Sequence, residues 1–165
     1  MNETTTAHIE LTAQYDIYQS YQAELREAKG DLETGRYRQA LAGAHRTWEY
    51  YGEFVLVMLG KTQGEIDDLA KPFTLGLHEK EHRRYYEKRT GDSLAAQASW
   101  SKLFESKELR GKAEHRGKPV SETEASEANN VRLGLMRHID GVLARASDVD
   151  QDALRRASEA RDAVV

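Results

Sequence analysis

The sequence predicts an all-α protein, a bundle of five or six mostly antiparallel, up-down helices in one domain spanning residues 1–165. Apolar residues recur three and four positions apart through most of the chain, and no segment shows the period-two alternation that marks a strand. The only two prolines, Pro72 and Pro119, leave long stretches free to be helical. A chain of this length can bury one sizeable core, and no change in composition divides it.

The first two helices carry the clearest periodicity. The first is expected to run from Leu11 to a turn at residues 34–36, "TGR". The second is expected to run from Tyr37 to the glycine at position 60, because its apolar side chains form one continuous stripe. The members of that stripe are Tyr37, Leu41, Ala44, Trp48, Tyr51, Val55 and Met58. We expect this second helix to be central and largely buried.

The third helical region is expected to begin within residues 63–71, to bend or break at Pro72, and to continue to about Arg89. A shorter helix is expected from Ser93 onwards. Its apolar positions are Leu94, Ala98, Leu103 and Phe104. This helix is expected to pack across the long pair.

Residues 106–120, "SKELRGKAEHRGKPV", are basic and poor in apolar side chains, which predicts a mobile loop. Two Arg-Gly-Lys triplets provide its main cations, Arg110, Lys112, Arg116 and Lys118. Such cations can neutralise RNA phosphates, whereas the default role of a charged loop is only to be solvated.

The C-terminal part predicts two more helices. Ser121 and Glu124 have the spacing of a capping box, which favours a long helix from that point. Its apolar stripe comprises Ala128, Val131, Leu135, Ile139, Val142 and Ala146. Ser147 is expected to cap a last, mostly exposed helix.

The composition excludes several classes of function. There is no cysteine, so disulfides, thiolate metal sites, iron–sulfur clusters and cysteine nucleophiles are absent. The formal net charge of −4 gives no overall attraction for nucleic acid, so RNA binding would need a local basic patch. The N-terminus lacks a basic region followed by an apolar run, and no apolar segment approaches about 18 residues. We therefore expect a cytoplasmic protein with no membrane contact.

Pairs of potential metal ligands occur four residues apart on the predicted helices. The letters "HEKEH" at residues 78–82 match a zinc-peptidase helix, but the charged neighbours argue against a buried catalytic zinc. The pairs His45/Glu49 and His78/His82, with His138 on a later helix, resemble the ligand motifs of haemerythrin bundles. That resemblance implies a di-iron site, although position 143 is Leu and the first helix offers only His8. The simpler interpretation is that neighbouring side chains satisfy these histidines, and we expect no cofactor.

Arg132 and His138 stand six positions apart in "EANNVRLGLMRHIDGVL", residues 127–143. At 100° per residue they lie about 120° apart, on opposite margins of an apolar stripe. This spacing resembles the Arg and His motif of the HEPN superfamily (higher eukaryotes and prokaryotes nucleotide-binding), and residues 30–60 are similar to the family's early long helix. The resemblance implies a homodimeric helical bundle that binds RNA and cleaves it without metal, in a toxin or antiviral defence setting.

In that family the His serves as acid or base and the Arg holds the phosphate, which implies Arg132 and His138 as catalytic residues. Asn129 and Asn130, just before the Arg, are further candidates for RNA contact. Two alternatives stay open. Both charged side chains can simply pair at the edges of a buried stripe. The protein can also be a non-enzymatic adaptor or assembly subunit that meets a protein partner.

Overall fold

The computed structural model describes residues 20–68 and 76–165, which contain seven α-helices and no strand. Residues 20–33 lie in α1, and the remaining helices are α2 (Tyr37–Met58), α3 (Gln63–Asp68), α4 (Lys80–Thr90), α5 (Trp100–Arg116), α6 (Glu122–Leu143) and α7 (Gln151–Val164). Two 3-10 turns, Gly76–His78 and Leu94–Ala96, precede α4 and α5. The all-α prediction is confirmed. No helix of the described part is long and apolar enough to cross a membrane.

The count exceeds the expected five or six because the third helical region is two separate helices, α3 and α4. The predicted break at Pro72 and the predicted start of the first helix at Leu11 lie outside the described residues, as does His8. The shorter helix expected from Ser93 begins only at Trp100, since residues 94–96 form a 3-10 turn instead.

Helices α2 and α6 form the centre of the molecule. The apolar stripe of α2 is buried as predicted from Leu41 onwards, with Leu41, Trp48 and Val55 at 0% exposure, whereas Tyr37 at its start is partly exposed. These two helices run parallel: the Tyr37 hydroxyl donates to Glu122 at their N-terminal ends (3.3 Å), and the Tyr51 hydroxyl donates to the carbonyl of Met136 further along (2.9 Å).

The other close pairs are antiparallel. The short turn after α1 folds it back on α2, so that Arg46 pairs with Glu24 at 2.8 Å. Helix α5 also runs against α2, since Arg38 donates to the carbonyl of Glu114 while the rings of Trp48 and Trp100 lie 6.4 Å apart. Helix α7 folds back on α6, where Arg161 pairs with Asp140. The bundle is therefore mostly antiparallel around one parallel central pair.

The segment expected to be a mobile basic loop, residues 106–120, is helical as far as Arg116. Leu103, Ser106 and Ala113 give α5 a buried face, so this segment has the periodicity of a packed helix. Ion pairs four residues apart, Arg110–Glu114 at 2.9 Å and Lys112–Glu108 at 4.0 Å, support its outer surface. Gly117 ends the helix at φ +65°, a left-handed conformation that glycine adopts without strain.

The two predicted caps of the C-terminal helices have different outcomes. The capping box at the start of α6 is confirmed, because the Ser121 side chain accepts from Glu124 N and the Glu124 carboxylate accepts from Ser121 N. The prediction that Ser147 caps α7 is wrong. Asp150 is the cap and accepts from Ala153 N at 3.0 Å, because Val149 is drawn into the core and the helix starts after it.

Candidate functional site

One half-buried histidine, His138 of α6, is held by a carboxylate. Its Nε2 lies 3.0 Å from both carboxylate oxygens of Asp92, which follows the end of α4. The Tyr86 hydroxyl donates to the same carboxylate at 2.7 Å. Burial and the adjacent Asp92 raise the pKa of Tyr86, so its hydroxyl stays protonated and donating. The side chain of His138 is 32% exposed, so solvent reaches this dyad.

An arginine lies close to the dyad. Arg145 follows the end of α6, seven residues after His138, and its charge acts on the Tyr86 hydroxyl. The guanidinium is exposed and forms no ion pair with any residue that the structure describes. The dyad thus offers a solvent-accessible imidazole, and the exposed Arg145 is near enough for its charge to act on Tyr86 beside it. The sequence offered no clue to Asp92, Tyr86 or Arg145, because only the fold brings them to His138.

Arg132 lies elsewhere, in the interior between α6 and α2. It is 1% exposed, and its guanidinium donates to the Ala128 carbonyl at 2.8 Å and faces His45 Nδ1 at 3.4 Å. Within one chain, Arg132 and His138 contact different residues, so they do not form one site. Burial lowers the pKa of Arg132 to about 9, which leaves it charged at neutral pH.

The partners of His45 determine its tautomer. A guanidinium can only donate, so Nδ1 of His45 accepts from Arg132 and the proton resides on Nε2. That Nε2 lies 3.1 Å from Glu49 Oε1, although the two groups are not aligned as in a directed hydrogen bond. Burial lowers the pKa of His45 more than Glu49 raises it. A neutral imidazole therefore links the charges of Arg132 and Glu49.

His78 is stacked against His45, with ring centroids 5.1 Å apart. It is 4% exposed, and neither of its ring nitrogens has a hydrogen-bond partner among the described residues. Burial lowers the pKa of His78 to about 2, and the positive charges of Lys107 and Arg132 act in the same direction. His78 is thus a neutral imidazole with unused hydrogen-bonding capacity in a cationic environment.

The five residues of the alternative metal set fall into three separate places. His45, Glu49 and His78 lie together beside Arg132, His82 directs Nε2 to the Ile66 carbonyl at 3.4 Å, and His138 pairs with Asp92. No group of three potential ligands in the described part of the chain could hold a metal ion. A guanidinium next to the first three also repels a cation, so these residues do not fit a di-iron centre.

The predicted RNA contacts lie on α5 and α6, except Lys118, which lies in the turn between these two helices. Arg110 is paired with Glu114 and Lys118 with Glu124, whereas Arg116 is exposed at the end of α5. Lys112 is exposed and only 4.0 Å from Glu108. On α6, Asn130 is exposed and Asn129 is partly buried. Three of the four cations, Arg110, Lys112 and Arg116, therefore lie on a helix and not in a loop.

Two further residues of α5, Phe104 and Lys107, stand out in the structure. Phe104 is 37% exposed and lies over His78, with ring centroids 6.0 Å apart. Lys107 is half-buried and has no ion pair or hydrogen bond to the residues that the structure describes. Phe104 was assigned to the core stripe from its spacing alone, since periodicity does not report which margin of a stripe is covered.

Comparison of the chain with protein-family models, with curated proteins and with solved structures finds no match in any of the three.

Proposed function

We propose that the protein is an HEPN-like RNA-binding protein that cleaves RNA without a metal, with His138 as its acid–base group. The observation that carries this proposal is the contact of His138 Nε2 with both oxygens of Asp92, at 3.0 Å each. A carboxylate that orients an imidazole is a recurrent arrangement in general acid–base catalysis.

The geometry suits proton transfer at the second ring nitrogen. Asp92 accepts the proton on Nε2, which leaves Nδ1 with a lone pair. Nδ1 has no hydrogen-bond partner among the described residues. It is therefore available to take the proton of a ribose 2′-hydroxyl, whose oxygen then attacks the adjacent phosphorus. The P–O5′ bond breaks to give a 2′,3′-cyclic phosphate, the leaving 5′-oxygen takes a proton from solvent, and the imidazolium returns its proton to solvent, so the protons balance.

The phosphate contact is assigned to Arg145 instead of Arg132. Arg145 is exposed and without an ion pair in the described structure, and a guanidinium binds phosphate through two parallel hydrogen bonds. Arg132 is buried and contacts no surface that RNA reaches, so its role is to position His45 and to join α6 to α2. The family resemblance further implies a homodimer and a toxin or antiviral defence setting.

The test is cleavage of a labelled single-stranded RNA in EDTA by wild type, His138→Gln and Asp92→Asn. We expect wild type to cleave and His138→Gln to lose roughly 100-fold or more, the usual contribution of an acid–base group. Asp92→Asn should retain part of the activity, because the imidazole remains but loses its orienting charge. His115→Gln, at an exposed position of α5, is the matched control and should cleave like wild type.

Equal cleavage by wild type and His138→Gln would contradict the proposal, provided circular dichroism shows both to be helical. Absence of cleavage by every variant, with RNA binding retained, would leave a binding protein without an active site. Absence of both would favour the adaptor alternative. Sedimentation of the wild type separately tests the implied homodimer.

A further inference from the structure

We propose that the surface of α5 around Phe104 and Lys107 is a nucleotide-binding subsite, in which the base stacks on Phe104 and the phosphate is held by Lys107. The ligand chemistry is a nucleoside phosphate, either free or within single-stranded RNA. The subsite shares no residue with the His138 dyad and does not depend on cleavage there.

Phe104 provides an exposed aromatic face on a firm support. Its ring is held edge-on by Trp100, at 5.4 Å and 76°, and by His78, at 6.0 Å and 71°. Among the described residues, Val165 at the C-terminus is the one other large apolar residue that is exposed. A single exposed apolar side chain is ordinary, so its significance comes from what surrounds it. Bases of any sequence stack on such aromatic faces.

Lys107 lies three residues further along α5, on the same side of the helix as Phe104. Burial is the main cause of the lowered pKa of Lys107; among the nearby charges Glu49 raises that pKa, and Arg110 and Arg83 lower it, so two cations and one carboxylate act on the ammonium. Arg110 already pairs with Glu114, and Glu49 is shared with His45. The Lys107 ammonium is therefore a cation whose counter-charge is incomplete, which favours an anionic ligand.

His78 forms the floor of the subsite. It is more than nine-tenths buried beneath Phe104, and neither ring nitrogen has a hydrogen-bond partner in the part of the chain that the structure describes. A neutral imidazole offers one N–H donor and one acceptor, and leaving both unused in the interior costs free energy. The charge of Lys107 acts on His78, so a phosphate oxygen held by Lys107 would become the partner of the donor after a small shift of the side chains that cover the imidazole. The adjacent guanidinium of Arg132 disfavours a metal cation at the same place.

The exposed ring of Phe104 favours a nucleotide over simpler anions. A sulfate or a carboxylate would need only the cations, whereas Phe104 adds a contact that a planar base can use. The combination of a stacking face, a cation three residues away and a buried donor matches the parts of a nucleotide.

The first measurement is titration with AMP, with adenosine and inorganic phosphate as partial ligands, observed by tryptophan fluorescence. Trp100 contacts Phe104 and reports on the subsite directly. We expect AMP to bind tighter than either partial ligand. A fluorescein-labelled ten-nucleotide oligoadenylate, followed by anisotropy, distinguishes the two sources: binding at least tenfold tighter than AMP assigns the site to RNA, and comparable binding assigns it to free nucleotides.

Four variants locate the binding. Phe104→Ala should weaken oligoadenylate binding roughly 5- to 100-fold, the usual loss for one stacked base, while Phe104→Tyr retains an aromatic face and should bind like wild type. Lys107→Ala should reduce the slope of log binding constant against log salt concentration by about one, because one phosphate contact is lost. Lys102→Ala removes the same charge from the same helix, at a residue paired with Glu127 (2.8 Å), and should have little effect.

The proposal is overturned if neither AMP nor oligoadenylate gives saturable binding, or if Phe104→Ala binds as well as wild type. Equal losses of oligoadenylate affinity in Lys107→Ala and Lys102→Ala would also overturn it. Such a result would show that the overall charge of the protein attracts the oligonucleotide without a specific site. Loss of cleavage in His138→Gln with unchanged oligoadenylate binding leaves the subsite intact, so failure at one site is distinguishable from failure at the other.

Discussion

At the scale of single residues, Arg132 is the most unusual feature of the molecule. A buried guanidinium normally has a carboxylate at hydrogen-bonding distance, but Arg132 donates to a backbone carbonyl and to a neutral imidazole, and its Nε has no partner among the described residues. Burying such a charge costs free energy, which the negative charge of nearby Glu49 offsets only in part. Arg132 therefore stabilises the fold weakly for its size.

Substitution of Arg132 tests this account. Arg132→Ala should lower the free energy of unfolding by about 2–4 kcal/mol, because it leaves a cavity and removes the donor to His45. Arg132→Met fills the same space without a charge and should be clearly more stable than Arg132→Ala, and close to wild type. Urea unfolding measures both. Arg132→Met as unstable as Arg132→Ala would show that the charge itself stabilises the core.

Residue chemistry was only partly predictable from the sequence. Helical geometry correctly separates Arg132 from His138 by about 120°, but it does not reveal which of the two faces the interior. The partner of His138 is 46 residues away in the chain, and the partner of Arg132 is 87 residues away. Contacts between residues so far apart in the chain depend on how the helices pack, and helical periodicity does not reveal that packing.

At the scale of elements, two glycines set the position of His78. A Cβ on Gly52 of α2 would lie 2.8 Å from Leu77 N, and one on Gly76 would lie 2.9 Å from the Glu49 carbonyl. Gly76 also has φ +54°, which side chains other than glycine rarely adopt. The 3-10 turn before α4 thus rests directly on the backbone of α2, and this contact places His78 against His45.

Gly52→Ala should displace this turn, because the atom that it meets is backbone. We expect a lower midpoint of thermal unfolding and weaker AMP binding, since His78 moves with the turn. Gly134→Ala on α6 is the matched control: its Cβ meets nothing within 4 Å, and alanine in an exposed helix interior gains about 1 kcal/mol over glycine. Similar thermal midpoints for the two variants would contradict the close contact.

Helix α5 shows why element prediction failed in one segment. The glycines of the two Arg-Gly-Lys triplets are poor helix formers and suggested a loop. Gly111 nevertheless lies inside α5, where the buried Leu103, Ser106 and Ala113 outweigh its cost. Arg110 and Glu114 are four residues apart, a spacing that favours a helix, but the glycines and the low apolar content of the segment outweighed this indication. Helix α2, by contrast, was predictable because its apolar stripe is unbroken.

At the scale of the whole molecule, the described interior includes three histidines whose pKa is lowered by burial, His45, His78 and His82. The pKa of His45 and His78 is lowered by burial, so the folded state binds fewer protons than the unfolded chain below the ordinary pKa of 6.5. Their contribution to stability is present above pH 6.5 and is lost as the pH falls towards the folded-state pKa of His78, about 2. Glu53 acts oppositely: burial raises its pKa to about 7, so its contribution is lost as the pH rises from about 4.5 through 7.

His78→Leu isolates the histidine contribution. Below pH 6.5 the free energy of unfolding of wild type should fall relative to that of His78→Leu, by up to about 1.4 kcal/mol per pH unit. Urea unfolding at pH 7.5, 6 and 5 measures the difference. The contribution of Glu53 to stability cancels in this difference because both proteins carry Glu53. His115→Gln, at an exposed position, should follow wild type at every pH. Parallel pH profiles for wild type and His78→Leu would contradict a neutral buried His78.

The parallel arrangement of α2 and α6 has a consequence for synthesis on the ribosome. Tyr51 and its partner Met136 are 85 residues apart, and the chain returns to the start of α2 before α6 begins. Until α6 has been made, the part of the buried face of α2 that packs on α6 stays uncovered, and closing so long a loop slows folding. The nascent chain therefore exposes apolar side chains of α2 for about half of its synthesis, and we expect chaperones that bind such surfaces to assist its folding.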